Sequence, residues 1–156
     1  MGTYRNKISQ TPNLDKLAKS SLIFNKAYAS VSSCSPSRAA ILTGMPSHQN
    51  GMYGLHQAEN NFNSFNTIKS LPNILRANKI RSGIIGKKHV GSSETFKFDY
   101  EQTEENNHVN QVGRNITHMK LLTREFLNSK DKEPFFLMVA FHGINELFFY
   151  GFMLFK

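Results

Sequence analysis

Two apolar stretches predict strands, and the second, a continuous run, suits a strand that is buried on both faces of a sheet. The first, "IRSGIIG", covers residues 80–86 and ends in glycine. The second, "FFLMVAF", covers residues 135–141 and lies between Pro134 and "HG". Apolar runs without alternation are typical of parallel sheets, whose two faces are both covered by helices. A third stretch, "SLIFNKAYA" at 21–29, also predicts a strand.

Helical periodicity occurs between these runs. Ile116, Met119, Leu122 and Phe126 follow the spacing of one helix face and predict an amphipathic helix within 112–130. Three further helices are predicted over 11–21, 35–44 and 70–79, each with a proline near its start. Residues 45–66 are rich in Gly, Asn, Ser and His and predict a loop.

Helices that alternate with buried strands predict an α/β fold with a mostly parallel sheet flanked by helices. In open sheets of this kind, sites form at the carboxyl ends of the strands. "KKH" (87–89) follows the first buried strand and "FH" (141–142) ends the second. The sequence therefore predicts that these two segments contribute to one site.

The composition restricts the classes of partner. The net charge of +8 favours polyanions as binding partners. The basic residues are dispersed, however, with Lys87-Lys88 as the only adjacent pair, and dispersed charge is also compatible with an ordinary solvated surface. No groove-reading motif supports nucleic-acid binding. No apolar run approaches the ~20 residues of a membrane span, and the N-terminal residues lack the apolar core of a signal peptide. A single cysteine excludes an internal disulfide.

That cysteine, Cys34, lies in "CSPSRAAILTG", where Ser35 is predicted to cap a helix, Pro36 to be its first residue and Gly44 to follow its end. Cys34 is open to two interpretations: a buried structural cysteine, or a thiolate activated by the helix N-terminus. A phosphatase-like anion loop is excluded, because only three residues separate Cys34 from Arg38 where such loops need about five.

The same stretch resembles the signature of type I sulfatases, Cys-x-Pro-Ser-Arg followed by Thr-Gly. "HQNGMYGLHQ" and "IIGKKHVG" are similar to the branch of that family that hydrolyses N-linked sulfate on glucosamine in heparan sulfate. The resemblance covers residues 2–142. It implies an α/β domain of the alkaline-phosphatase-like type.

The resemblance also implies roles for individual residues. Cys34 would be converted to formylglycine and act as nucleophile and Ca²⁺ ligand, and Arg38 would stabilise it. Lys87 and His89 would be catalytic and would bind the sulfate. Asn115, in the sequon "NIT", would carry a glycan. His48, His56 and His108 have no implied role and are interpreted as surface or structural histidines.

The implied partners are oligosaccharides derived from heparan sulfate and a formylglycine-generating enzyme. A homodimer and a lysosomal location also follow from the resemblance.

The pattern departs from the family in several places. His142 matches a family histidine, whereas Asn145 replaces a second one, and most of the family's Ca²⁺ ligands have no counterpart. We therefore expect 2–142 to form part of an N-terminal catalytic domain and 143–156 to be a divergent apolar tail. The chain would then be weakly active or inactive, and a non-catalytic protein that binds sulfated glycans or full-length subunits is the alternative.

Overall fold

A computed structural model describes residues 1–57, 59, 61–104, 112–129 and 134–142, together with the backbone of 149–155. The helices are α1 (Pro12–Ala18), α2 (Cys34–Thr43), α3 (Ser47–Asn50), α4 (Leu71–Ala77) and α5 (Ile116–Asn128). The strands are β1 (Arg81–Gly86), β2 (Tyr100–Thr103), β3 (Phe135–His142) and β4 (Phe149–Phe155). Single 3₁₀ turns occupy Gly2–Tyr4 and Val112–Arg114.

The four strands form one sheet in the order β2-β1-β3-β4. β1 is central and pairs in parallel with both β2 and β3, whereas β4 runs antiparallel along β3. The parallel β1–β3 register aligns Arg81 with Phe135 and Gly86 with Ala140, so both strands end at the same edge. The prediction of a mostly parallel α/β sheet is confirmed.

Each face of the sheet has its own core, because neighbouring residues of a strand point to opposite faces. Ile84 packs with residues of α2 and α4 on one face, and Ile85 packs with residues of α5 on the other. β3 is thus buried on both faces, as its lack of alternation predicts, and β1 is buried in the same way.

The pattern of α5 is confirmed with one exception. Met119, Leu122 and Phe126 are buried against the sheet, but Ile116 is 71% exposed. Ile116 is the first residue of the helix, and its side chain extends beyond the surface that the sheet offers.

The predicted strand over 21–29 is wrong. These residues contain no strand, and every one of them is exposed. An apolar, β-branched stretch becomes a strand only where a neighbouring strand can satisfy its backbone groups, and none of the described strands pairs with it.

Candidate functional site

The N-terminus of α2 presents Cys34 at the start of the helix. Ser33 is the N-cap residue in an extended conformation, and Cys34 is the first helical residue and partly buried. The expectation that Ser35 caps this helix is wrong. The Ser35 side chain is buried and accepts a hydrogen bond from the backbone N–H of His56 at 2.9 Å, so it is not available as a cap. Pro36 is tolerated within the first turn, where backbone N–H groups have no helical partner.

Arg38 lies one turn after Cys34 and is only 7% exposed. Its Nη1 donates to the backbone carbonyl of Lys87 at 2.8 Å, which connects two segments that are 49 residues apart in sequence. Burial lowers the pKa of the Arg38 guanidinium, and the nearby Cys34 side chain opposes that shift. An arginine keeps its charge in proteins, so a buried cation stands beside Cys34.

Lys87 directly follows β1, and the backbone there is held closely against β3. Gly86 has a φ of 93°, and a Cβ at this position would collide with the carbonyl oxygen of Ala140. The N–H of Lys87 donates to that same oxygen at 3.1 Å. Only glycine combines the positive φ with this close approach of two backbones.

His89 has a φ of 52°, so the segment after β1 is not uniformly extended. Its ring nitrogen Nε2 lies 3.0 Å from Oε1 of Gln57, a residue of the loop after α3. Lys87 and His89 nevertheless line one cleft of about 400 Å³.

The same cleft contains residues that the sequence did not single out. They are Gln57, Asn61 and Glu104. His56 also lines it, with Nδ1 2.9 Å from the carbonyl of Phe62. Cys34 and Arg38 are not part of the lining, and Arg38 reaches the cleft wall through the Lys87 carbonyl.

His142 completes the cleft at the carboxyl end of β3. Its Nδ1 lies 3.4 Å from a carboxylate oxygen of Glu104, and its side chain is 13% exposed. Burial lowers the pKa of His142. The carboxylate of Glu104 opposes this shift, whereas the cations of Lys87, Arg114 and Arg38 add to it. Three cations and the carboxylate of Glu104 thus act together on His142 at this edge of the sheet.

The remaining histidines divide according to their positions. His48 is exposed in α3, which agrees with its interpretation as a surface residue. His56 is partly buried and structural, but it also borders the cleft. His108 and Asn145 lie outside the described residues.

Asn115 is exposed and is the N-cap residue of α5. Its Oδ1 accepts a hydrogen bond from the N–H of His118 at 3.0 Å. The amide nitrogen, which would carry a glycan, is not the atom that caps the helix.

The donor set of the described residues does not fit a Ca²⁺ site. Among them, no group of three His, Cys, Asp or Glu side chains is placed to hold a metal ion. Ca²⁺ takes about 6–8 oxygen ligands, and Cys34 alone cannot provide them. In the part of the chain that the structure describes, no helix is long and apolar enough to cross a membrane.

Comparisons with known proteins give consistent results. The sequence model of the family described as Sulfatase matches residues 1–151. The chain is 60% identical over 141 residues to human N-sulphoglucosamine sulphohydrolase, which corresponds to 90% of this chain and 28% of that protein. It is 35% identical over 104 residues to human N-acetylgalactosamine-6-sulfatase (62% of this chain, 20% of that protein). It is 39% identical over 92 residues to bovine arylsulfatase A (58% of this chain, 18% of that protein). The chain thus spans less than a third of the length of these relatives.

Proposed function

Because this chain belongs to the sulfatase family, we propose that it forms part of the catalytic domain of a hydrolase that removes N-linked sulfate from the glucosamine of heparan sulfate. The substrate class rests on the 60% identity to the human protein named N-sulphoglucosamine sulphohydrolase. Residues 2–142 are the portion assigned to the catalytic domain, and 143–156 are assigned to a divergent tail.

One observation carries the proposal. The hydrogen bond from Arg38 to the carbonyl of Lys87 joins the signature segment of α2 to the basic turn after β1. A sulfate hydrolase needs a nucleophile beside cations that hold the anionic sulfo group and its developing charge. We assign the nucleophile to Cys34, the cations to Arg38 and Lys87, and a further sulfate-binding group to His89.

The roles proposed for the individual residues follow from this arrangement. Conversion of Cys34 to formylglycine supplies an aldehyde, whose hydrate is the nucleophile. Arg38 compensates negative charge at Cys34 from its buried position one turn away. Lys87 and His89 bind and orient the sulfate oxygens in the cleft. The adjoining helix N-terminus adds a positive dipole end and favours an anion there.

The cellular partners belong to the same proposal. A formylglycine-generating enzyme acts on Cys34, Asn115 carries a glycan, and the protein works in the lysosome on oligosaccharides from heparan sulfate. A homodimer is its assembly. The sulfatase family implies Ca²⁺, but the described residues do not fit the ion, and none of the roles above involves it.

That misfit favours a second candidate function. A chain with a net charge of +8 and a cleft that Lys87 lines, but without a metal-binding cluster among its described residues, is suited to binding sulfated glycans without turnover. Association with full-length subunits is the other form of this non-catalytic role.

The first test is the mass of the peptide that contains Cys34, isolated from the native source. An aldehyde at Cys34 is expected, whereas an unmodified thiol contradicts the proposed nucleophile.

The second test is an NMR titration of the full chain with N-sulfoglucosamine and with unsulfated glucosamine. We expect the sulfated sugar alone to shift the signals of Lys87 and His89. Arg38→Met and Lys87→Met should weaken this binding, and Lys69→Met, which removes an exposed lysine away from the cleft, should leave it unchanged. Equal binding of the two sugars contradicts both candidate functions. Binding of the sulfated sugar without release of sulfate supports the second candidate over the first.

A further inference from the structure

The turn after β1 is held by contacts with β3, α2, the loop after α3 and β2. The N–H of Lys87 donates to Ala140 of β3, and its carbonyl accepts from Arg38 of α2. The ring of His89 contacts Gln57. Lys88, between them, makes the remaining contact, toward β2.

Lys88 forms a nearly buried ion pair with Glu101. Its Nζ lies 3.0 and 2.9 Å from the two carboxylate oxygens, and the two side chains are 10% and 18% exposed. Glu101 is itself fixed, because it lies in β2 opposite Ile84 of β1 and its Oε1 accepts from the N–H of Phe98 at 2.9 Å. The ion pair therefore ties the turn to the sheet rather than to a mobile side chain.

Net stability does not account for this pair. The cost of removing two charges from water largely offsets their attraction, so an apolar pair of similar size would serve stability as well. The ammonium group is also committed to Glu101, so it does not add to the charge of the cleft as Lys87 does. What the pair supplies is a fixed direction for the backbone between Lys87 and His89.

His89 is where a fixed backbone matters most. Its φ of 52° is in the left-handed region, which a non-glycine residue keeps only when neighbouring contacts enforce it. The tether at Lys88 acts one residue before this point, and the hydrogen bond to Gln57 acts on the His89 side chain itself.

We propose that Lys88 and Glu101 are positioning residues of the site, and that their ion pair fixes the turn so that Lys87 and His89 are held at the cleft. The proposal rests on the function proposed above, because it assigns these two residues to the same sulfate-binding site. It assigns no contact with substrate to either of them.

The test compares three forms of the full chain with the wild type. The double variant Lys88→Met/Glu101→Gln removes both charges and avoids leaving one charge buried alone. The exchange variant Lys88→Glu/Glu101→Lys restores the ion pair in reverse but loses the acceptor for the Phe98 N–H, so the recovery expected of it is partial. The control, Arg76→Met, breaks the Arg76–Asp99 ion pair, whose distance of 2.8 Å is similar but whose side chains are 39% and 31% exposed.

The first readout needs no ligand. Backbone order parameters from ¹⁵N relaxation should fall at Lys87–His89 from about 0.85 to below about 0.6 in the double variant and recover in part in the exchange variant. The control should leave them unchanged. Unchanged order at this turn in the double variant overturns the proposal.

The second readout is the dissociation constant for N-sulfoglucosamine. Residues that orient a ligand-binding group typically contribute about tenfold or more, so the double variant should bind about tenfold more weakly, the exchange variant should recover in part, and the control should match the wild type. If the wild type does not bind the sugar at all, the proposed function fails, and the order parameters still decide the positioning role. Equal affinity of the double variant and wild type overturns the role in binding.

Discussion

Substitution of Gly86 by alanine tests how closely the end of β1 approaches β3. Gly86 has a φ of 93°, and an added Cβ would meet the carbonyl oxygen and carbon of Ala140, which are backbone atoms and cannot rotate away. Two costs add: a left-handed conformation in a residue with a side chain, about 1–2 kcal/mol, and overpacking, about 1–3 kcal/mol. We expect Gly86→Ala to lower the free energy of unfolding by about 2–5 kcal/mol.

Gly44 provides a matched control. It has a φ of 67° at the end of α2, but no atom lies within 4 Å of the position that its Cβ would take. Gly44→Ala should therefore incur only the conformational cost of about 1–2 kcal/mol. The difference between the two variants isolates the contact with Ala140.

Urea unfolding of both variants, followed by circular dichroism, measures these free energies. Thermal midpoints should fall by about 2–4 °C per kcal/mol for a chain of this size. Gly86→Ala should also weaken binding of N-sulfoglucosamine, because Lys87 donates to the same Ala140 oxygen that the new methyl group displaces. Equal destabilisation by the two substitutions would refute the close packing of β1 on β3.

Three further predictions concern single groups. Asn115→Ala removes the cap on His118 N–H and should cost about 1 kcal/mol in thermal unfolding of unglycosylated protein, whereas Asn115→Ser should keep most of the stability. Burial raises the pKa of Tyr100 to about 12, with a contribution from Glu125, so its ultraviolet absorbance should change about two pH units higher than that of an exposed tyrosine. Between about pH 10 and about pH 12 only the unfolded chain loses this proton, so the free energy of unfolding should fall as the pH rises through this range. Burial lowers the pKa of His142, so the unfolded chain takes up this proton first as the pH falls. The free energy of unfolding should therefore decline as the pH falls below about 6.5. An NMR titration in which His142 becomes protonated above pH 6.5 would contradict this.

The sequence predicts the sheet well where local pattern and burial agree. β3 is a continuous apolar run and β1 a short apolar stretch that ends in glycine, and both patterns favour buried strands in an α/β chain. The stretch at 21–29 is also locally apolar, but it does not pair with any of the described strands. Whether a stretch finds a neighbouring strand depends on the whole fold and cannot be read from the stretch itself. β2 is not predicted from the sequence, because "YEQT" contains few apolar residues. An edge strand buries little of its side-chain surface and needs few of them.

The candidate site divides in a similar way. Cys34, Arg38, Lys87 and His89 can be found from motifs, because each motif is contiguous. Gln57, Glu101 and Glu104 cannot be found in this way, because they reach the site only when loops and strands that are distant in sequence come together in the fold. Ser35 illustrates the limit at a single residue: its local pattern favours a cap, but its hydroxyl is used by His56, 21 residues away.

Arg38 donates its hydrogen bond to the main-chain carbonyl of Lys87, so this bond does not depend on the side chain at position 87. Every amino acid carries the same carbonyl, so the anchoring bond survives any replacement of Lys87. Charge, length and hydrogen-bonding capacity at 87 can therefore be varied while the scaffold around Cys34 stays in register. A series such as Lys87→Arg, Lys87→Gln and Lys87→Met therefore changes the anion-binding group while keeping the main-chain bond to Arg38.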